Sequence, residues 1–562
     1  MDSRRTILAI VLSAIILLGY QYLMPQPPKP PTPAPETRTQ PAEAGKTAPP
    51  AAVVETPAAS VPVSEVPPAV ADTAALRASR DIPVETSKFS ALISEAGGTV
   101  KSFRLKNYRE EVQKDSPPKE LIKTDNYSEL PLFFTWGTDP ARTPVTLYTT
   151  DTPSVQVAPQ GEATLSMHGS PAAGLQVTRT LTISDSDYLM HLAVEVTNTG
   201  DRQLQGAPYL TLTNRPFSSS SNGRSRYLFD GPALFHNGAL QEIKTKDLKE
   251  GSKTYTGNIG WAAYEDTYFM CSVIPGMAGD AAMDQDTVKI SLGEDDTVRT
   301  VLSGEPVLLS PGNSIRYTYA VYFGPKRLST LTKEGHHLDR IVNFGWWDII
   351  AKPTLHLLNF LYSYLHNYGL AIILVTIIIK LLFWPIAQKG MKSMKTMQKL
   401  QPKMAKLREK YKDDKERLNQ EMMQLYKTYK VNPVGGCLPM VLQIPVFFAL
   451  YKVLLQTIEL RHAPFMLWIN DLSAPDRLHI GVDIPYLGGI PVLTLLMGGS
   501  MFLQQKMTPT TGDPTQAKIM MFLPVVFTFM FLNFASGLVL YWFVNNLLSI
   551  AQQYYINRQV EV

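Results

Sequence analysis

Residues 369–385 read GLAIILVTIIIKLLFWP, and this stretch decides what kind of protein the chain forms. It is long enough to be most of a membrane span. Lys380 is its one charged residue. A charge at membrane depth costs roughly 2.5–3.5 kcal/mol on insertion scales, so such a group normally faces protein or water rather than lipid. Lys380 is therefore a functional-site candidate. A plainer reading is that it snorkels. It lies about seven residues from the cytoplasmic end of the run, roughly 10 Å at 1.5 Å per residue, and a lysine stem covers much of that.

The rest of the chain is organised around this membrane signal. Of 562 residues, 45% are apolar and 18% charged, while the mean hydropathy is near zero; that average suits a membrane part joined to a water-soluble part. Residues 1–24 open MDSRR and continue as an apolar run without a small-x-small cleavage site, which predicts an uncleaved signal-anchor helix with its arginines inside the cell. Residues 25–80 hold 14 of the 43 prolines and predict a disordered tether. Residues 81–330 alternate: Met190, Leu192, Val194 and Val196 in one run, Ile315, Tyr317, Tyr319, Val321 and Phe323 in another. Turn signals such as NTGD at 198–201 and SPGN at 310–313 separate such runs. A large antiparallel β domain, a sandwich outside the membrane, is expected there.

Residues 331–365 carry Trp346 and Trp347 ahead of Ile350, Leu357, Leu361 and Leu365. This predicts an amphipathic helix at the membrane interface, the alternative being a helix packed on the β domain. Further spans are expected at 366–386, 434–456, 484–505, 517–534 and 537–556, giving six with the anchor. Between Gln388 and Lys430 lie 13 Lys/Arg against 5 Asp/Glu, which places 387–433 in the cytoplasm. The loop 457–483 then falls outside, 506–516 inside, and the tail 557–562 inside. Within 387–433, Met391, Met394, Met397 and Met404 belong to one helical stripe and a second stripe follows Asp413 and Asp414, so a helical hairpin is expected. Its methionines either zip the hairpin together or offer an adaptable surface to apolar clients.

Polar residues recur inside the expected spans. Thr376 is one turn before Lys380; Gln443 interrupts the next span; Trp542, Asn546, Ser549 and Gln553 form one stripe of the last, with Tyr541, Asn545 and Gln552 beside it. These could line one water-accessible cavity or simply glue helices together. A serine-lysine protease would need a nucleophile motif at Ser536 or Ser549, a transporter would show inverted repeats, and a sugar-active β domain would need a signature around His168, His191 or His236; none is present. No phosphate-binding loop, GxGxxG turn or Cys/His metal cluster occurs, so nucleotide-driven chemistry, a cofactor and a metal are not expected. Cys271 and Cys437 fall in different compartments on this topology, which argues against a disulfide.

The segment 400–476, LQPKMAKLREKYKDDKERLNQEMMQLYKTYKVNPVGGCLPMVLQIPVFFALYKVLLQTIELRHAPFMLWINDLSAPD, together with QKMTPTTGDP at 505–514 and SGLVLYWFVNNLLSIAQQ at 536–553, closely resembles the YidC membrane protein insertases. The likeness is most specific over 345–558 and extends more loosely to the anchor, the tether and ISEAGGTVKSFRLKNY at 93–108. It implies the Gram-negative form: an inner-membrane protein with both termini cytoplasmic and a periplasmic β-supersandwich. It implies an ATP-independent insertase and chaperone, not an enzyme, acting on nascent membrane proteins in the lipid bilayer, alone or with the Sec translocon, with ribosome contacts through the cytoplasmic loops. Lys380 then stands where the family places a positive charge in a hydrophilic groove, a position usually held by arginine. Thr376 matches a groove position, and Trp542 falls where relatives often carry tyrosine.

Overall fold

The computed structural model describes residues 64–65, 79–123, 129, 131–137, 139–140, 143–217, 228–276, 286–293, 296–412, 414–429, 438–481, 487–508 and 514–559. The expected anchor at 1–24, most of the tether, Asp413 and Cys437 lie outside them. One part of the expected tether is ordered: Ser64 and Glu65 pair in parallel with Leu204 and Gln205. Backbone pairing of this kind needs no apolar side chain, so composition gave no sign of it.

The two alternating runs recognised in the sequence are neighbouring strands of a nine-stranded sheet. Leu189–Asn198 and Ser314–Pro325 run antiparallel, with Met190 opposite Val321, Leu192 opposite Tyr319, Val194 opposite Tyr317 and Val196 opposite Ile315. Such same-face cross-strand pairs fix the register, because a slip of one residue would turn every apolar side chain to the wrong side. The alternation stops at Tyr319: Ala320 and Tyr322 are buried as well. Tyr322 is fully enclosed, and its hydroxyl donates to the Pro325 carbonyl at 2.7 Å.

Among the described residues, a three-stranded sheet that includes Ser64–Glu65 and two five-stranded sheets complete the β domain. Phe103 of one meets Phe323 edge-on at 5.3 Å, and Trp136 of the other donates through Nε1 to the Tyr317 hydroxyl at 3.1 Å. Tyr317 and Phe323 project from one face of their strand, since side chains alternate with period two. Both five-stranded sheets therefore cover the same face of the large one, so the expected sandwich is a nine-stranded sheet opposed by two five-stranded ones.

After a short helix α1 (Leu328–Glu334) the chain becomes helical. Helix α2 (Asp348–Leu365) buries Ala351, Thr354, Leu355 and Leu358 against its neighbours, while Trp346, Ile349, Phe360 and Tyr364 remain exposed. Asn367 caps α3 (Tyr368–Lys410), accepting from Leu370 N at 3.1 Å. Helix α3 has 43 residues, with Pro385 and Pro402 inside it, and it runs through 386 without a break. Helix α4 (Lys415–Thr428) is capped by Asp414, which accepts from Arg417 N. Met397, Leu400 and Met404 of α3 pack against Met422, Leu425 and Tyr426 of α4. The zip reading thus holds for Met397 and Met404; Met391 and Met394 stand outside that cluster, half-buried.

Helices α5 (Leu438–Gln456), α6 (Val492–Met507), α7 (Pro514–Phe531) and α8 (Ser536–Gln559) follow. Among the described residues, α3 alone is long and apolar enough to cross a membrane; Leu442–Gln456 and Ile519–Phe531 are shorter apolar stretches. The physical reasons are length and composition. Sixteen residues of α6 reach about 24 Å, less than a hydrocarbon core of about 30 Å. Helix α8 is long enough but carries Asn545, Asn546, Gln552 and Gln553.

Candidate functional site

The ammonium of Lys380 donates to Ser549 Oγ at 2.7 Å, and Ser549 in turn donates to the Asn545 carbonyl, also at 2.7 Å. Gln443 of α5 donates through Nε2 to Asn545 Oδ1 at 3.2 Å. Three helices far apart in sequence thus converge on one polar cluster. Helix α5 packs mainly on α2 and touches α3 and α8 more sparingly, so a crevice lined by Ile379, Lys380, Phe383 and Gln443 remains between α3 and α5. Among the described residues no carboxylate pairs with Lys380; its nearest partners are neutral. This arrangement holds a cation where a passing anionic group would meet little competition.

The remaining sequence candidates divide. Asn546 donates to Ser500 Oγ of α6 at 3.0 Å, and Gln553 donates to the Met507 carbonyl at the end of α6 at 3.0 Å. Both are buried and join α8 to α6, away from Lys380. Thr376 is 1% exposed and donates back to the Ile372 carbonyl within its own helix. Tyr541 is buried. Trp542 sits in an aromatic cluster, edge-on to Phe447 of α5 at 4.8 Å and to Phe531 of α7 at 5.0 Å. The site therefore comprises Lys380, Ser549, Asn545 and Gln443, with Asn546 and Gln553 serving as ties between helices.

Sequence reading missed the closure at the opposite end. The segment after Ile469 caps three helices. Asp476 accepts from Trp468 Nε1 at 2.6 Å and from Thr494 N in the first turn of α6 at 3.1 Å. Arg477 donates to the Leu532 carbonyl and the Asn533 side chain, just past the end of α7. Ser536 and Gly537, opening α8, donate their amides to the Ala474 and Leu472 carbonyls. Acids at helix starts and a cation at a helix end also suit the helix dipoles. A compact Asp-Arg pair following a proline, APDR at 474–477, was the available signal.

The same loop grips the β domain. Arg461 donates to the Arg109 and Glu110 carbonyls at 2.7 and 3.0 Å and lies over the Phe269 ring at 5.2 Å. Ile458 is part of the β-domain core. Glu459 is 4.0 Å from Arg327; burial pushes its carboxyl above the ordinary range, and Arg327 partly offsets this.

Comparison with known proteins agrees with this architecture. The family described as "60Kd inner membrane protein" matches residues 360–562, and that described as "YidC periplasmic domain" matches 81–357. The membrane protein insertase YidC of Syntrophobacter fumaroxidans is 43% identical over 477 residues, covering 84% of this chain and 86% of that one. Its counterpart in Geotalea daltonii is 40% identical over 562 residues, covering 99% of both. An active YidC insertase crystal structure with its first transmembrane domain resolved covers 88% of this chain and 95% of its own, at 18% identity and a TM-score of 0.35, too loose a likeness to carry weight. On the extent and identity of the sequence matches, the chain belongs to the YidC membrane protein insertase family.

Proposed function

We propose that this protein inserts, folds and helps assemble integral membrane proteins, using the cluster around Lys380 as an electrostatic holding point. The observation that carries the reading is a cation on an apolar helix, set in a neutral polar cluster from two other helices, with no carboxylate partner among the described residues. An acidic residue in the hydrophilic part of a client is attracted to Lys380. Ser549, Asn545 and Gln443 lower the cost of bringing that polar segment part-way into the bilayer. Transfer of the client's apolar segment into lipid drives the remainder. No bond is made or broken, and no nucleotide is consumed.

In this reading the six segments span the inner membrane of a Gram-negative cell, with both termini and the α3–α4 hairpin in the cytoplasm and the β domain in the periplasm. The excess of Lys/Arg between Gln388 and Lys430 supports that orientation. The protein acts alone or with the Sec translocon, and the hairpin is the surface offered to a ribosome. The spans lie at 366–386, 434–456, 484–505, 517–534 and 537–556, after the anchor at 1–24.

Replacement at Lys380 tests it. In a strain depleted of its own insertase, Lys380→Arg should sustain insertion of several clients, Lys380→Ala should impair it, and Lys380→Glu should impair it further through repulsion. A photo-crosslinker at Gln443 should capture a nascent membrane protein. Full activity of Lys380→Ala with every client would overturn the role of the charge.

A further inference from the structure

Lys380 borders a second space, on the other side from Gln443. Between α3 and α8 lies a crevice of 450 Å³. Its walls are apolar at Ile377, Leu381 and Leu548, and Lys380 is its one charged lining residue. Gln552 also lines it; this side chain is 2% exposed, and its amide nitrogen has no hydrogen-bond partner among the described residues. One turn beyond Lys380 toward the cytoplasmic end, Trp384 of α3 and Tyr555 of α8 face each other with ring centroids 6.2 Å apart. Paired Trp and Tyr at one depth mark the headgroup level of a bilayer. The distance along α3 from Lys380 to that level is about 6 Å, within a lysine's snorkelling reach.

We propose that the α3–α8 crevice binds an anionic phospholipid, its phosphate serving as the resting counter-ion of Lys380 and its acyl chain lying along Ile377, Leu381 and Leu548. The chemistry is complementary at each point. A phosphate supplies the anion that no described residue offers Lys380, accepts from the Gln552 amide left unpaired among the described residues, and belongs at the depth of the aromatic pair. The lipid and a client carboxylate then reach the same ammonium from opposite sides of α3, so a client displaces the lipid phosphate instead of meeting a bare charge. The inference rests on reading α3 and α8 as membrane spans and on Lys380 as the cation of the proposed function.

The full chain is reconstituted in bilayers of phosphatidylcholine with a minority of phosphatidylglycerol, carrying a photo-crosslinker at Leu548 in the crevice. Lipid adducts are identified by mass spectrometry. Phosphatidylglycerol adducts should exceed their bulk share about fivefold, the worth of one lysine–phosphate contact near a membrane surface. Lys380→Gln should return the ratio to the bulk value, and Gln552→Leu should lower it with the lysine intact. The same probe at Phe529, exposed on α7, should report bulk composition throughout. Leu548 adducts that follow the bulk ratio, a preference that survives both substitutions, or capture of polypeptide in place of lipid would each overturn the proposal. An unmodified protein with no lipid preference, whose Lys380→Ala variant still loses insertion, would sink this inference alone. A lipid preference present in the unmodified protein and lost in Lys380→Ala, with insertion of every client intact, would sink the proposed function instead.

Discussion

Lys380 was legible because a single charge in an apolar run is visible without any structure; its partners were not. Ser549 lies 169 residues away, and which side of α8 faces α3 depends on the rotation of that helix in the bundle. Adjacent residues on a helix point about 100° apart, so Asn545 joins the site while Asn546 ties α8 to α6. Periodicity groups polar residues into stripes but does not say which neighbour a stripe meets. Buried acids in the β domain were equally invisible. Asp286 is 1% exposed, and burial pushes its carboxyl up to about 7. The folded state then holds a proton that the unfolded chain releases near the ordinary value of about 3.9. This contribution to stability is present below pH of about 4 and is lost as pH rises to about 7. Unfolding midpoints of the β domain followed by tryptophan fluorescence should show a shallower decline across that window in Asp286→Asn. An unchanged slope would refute the assignment.

At the scale of elements, strands were read well where one face is buried and poorly where both are. Met190 to Val196 alternates and pairs as expected, whereas Tyr322 breaks the pattern because the upper part of its strand is covered on both faces. Helix contacts were not readable. Gly498 of α6 approaches Thr528 of α7 so closely that an added Cβ would stand 2.1 Å from the threonine hydroxyl oxygen. Small residues permit such close crossings inside membranes. Gly498→Ala should destabilise the α6–α7 pair by about 1–3 kcal/mol, the usual cost of overpacking. Thr528→Ala in the same chain should recover part of the loss, as measured by thermal unfolding in detergent. No recovery would mean that the crossing tolerates the methyl group by moving elsewhere.

At the scale of the whole molecule, one loop joins the helices to the β domain beside the segment 328–344, with Arg461 reaching the Arg109 and Glu110 carbonyls and Ile458 entering the β core. This junction was missed because carbonyl acceptors leave no mark on a sequence. Arg461→Ala should speed hydrogen exchange at 109–111 and 458–461 while leaving insertion largely intact; unchanged exchange would show that Arg461 does not hold the junction. A different consequence follows from the unbroken run of α3. Mechanically, its 43 residues are a mast about 65 Å long at 1.5 Å per residue, stepped in the bundle and carrying the hairpin at its top. Pro385 stands just above Lys380, and a proline inside a helix removes one backbone hydrogen bond and leaves a compliant joint. A sideways load on the hairpin bends the mast there before it turns the lysine. Pro385→Ala should stiffen that joint and narrow the distribution of spin-label distances between hairpin and bundle; an unchanged distribution would place the give elsewhere. The joint isolates the holding point from the tug of whatever the mast-head grasps.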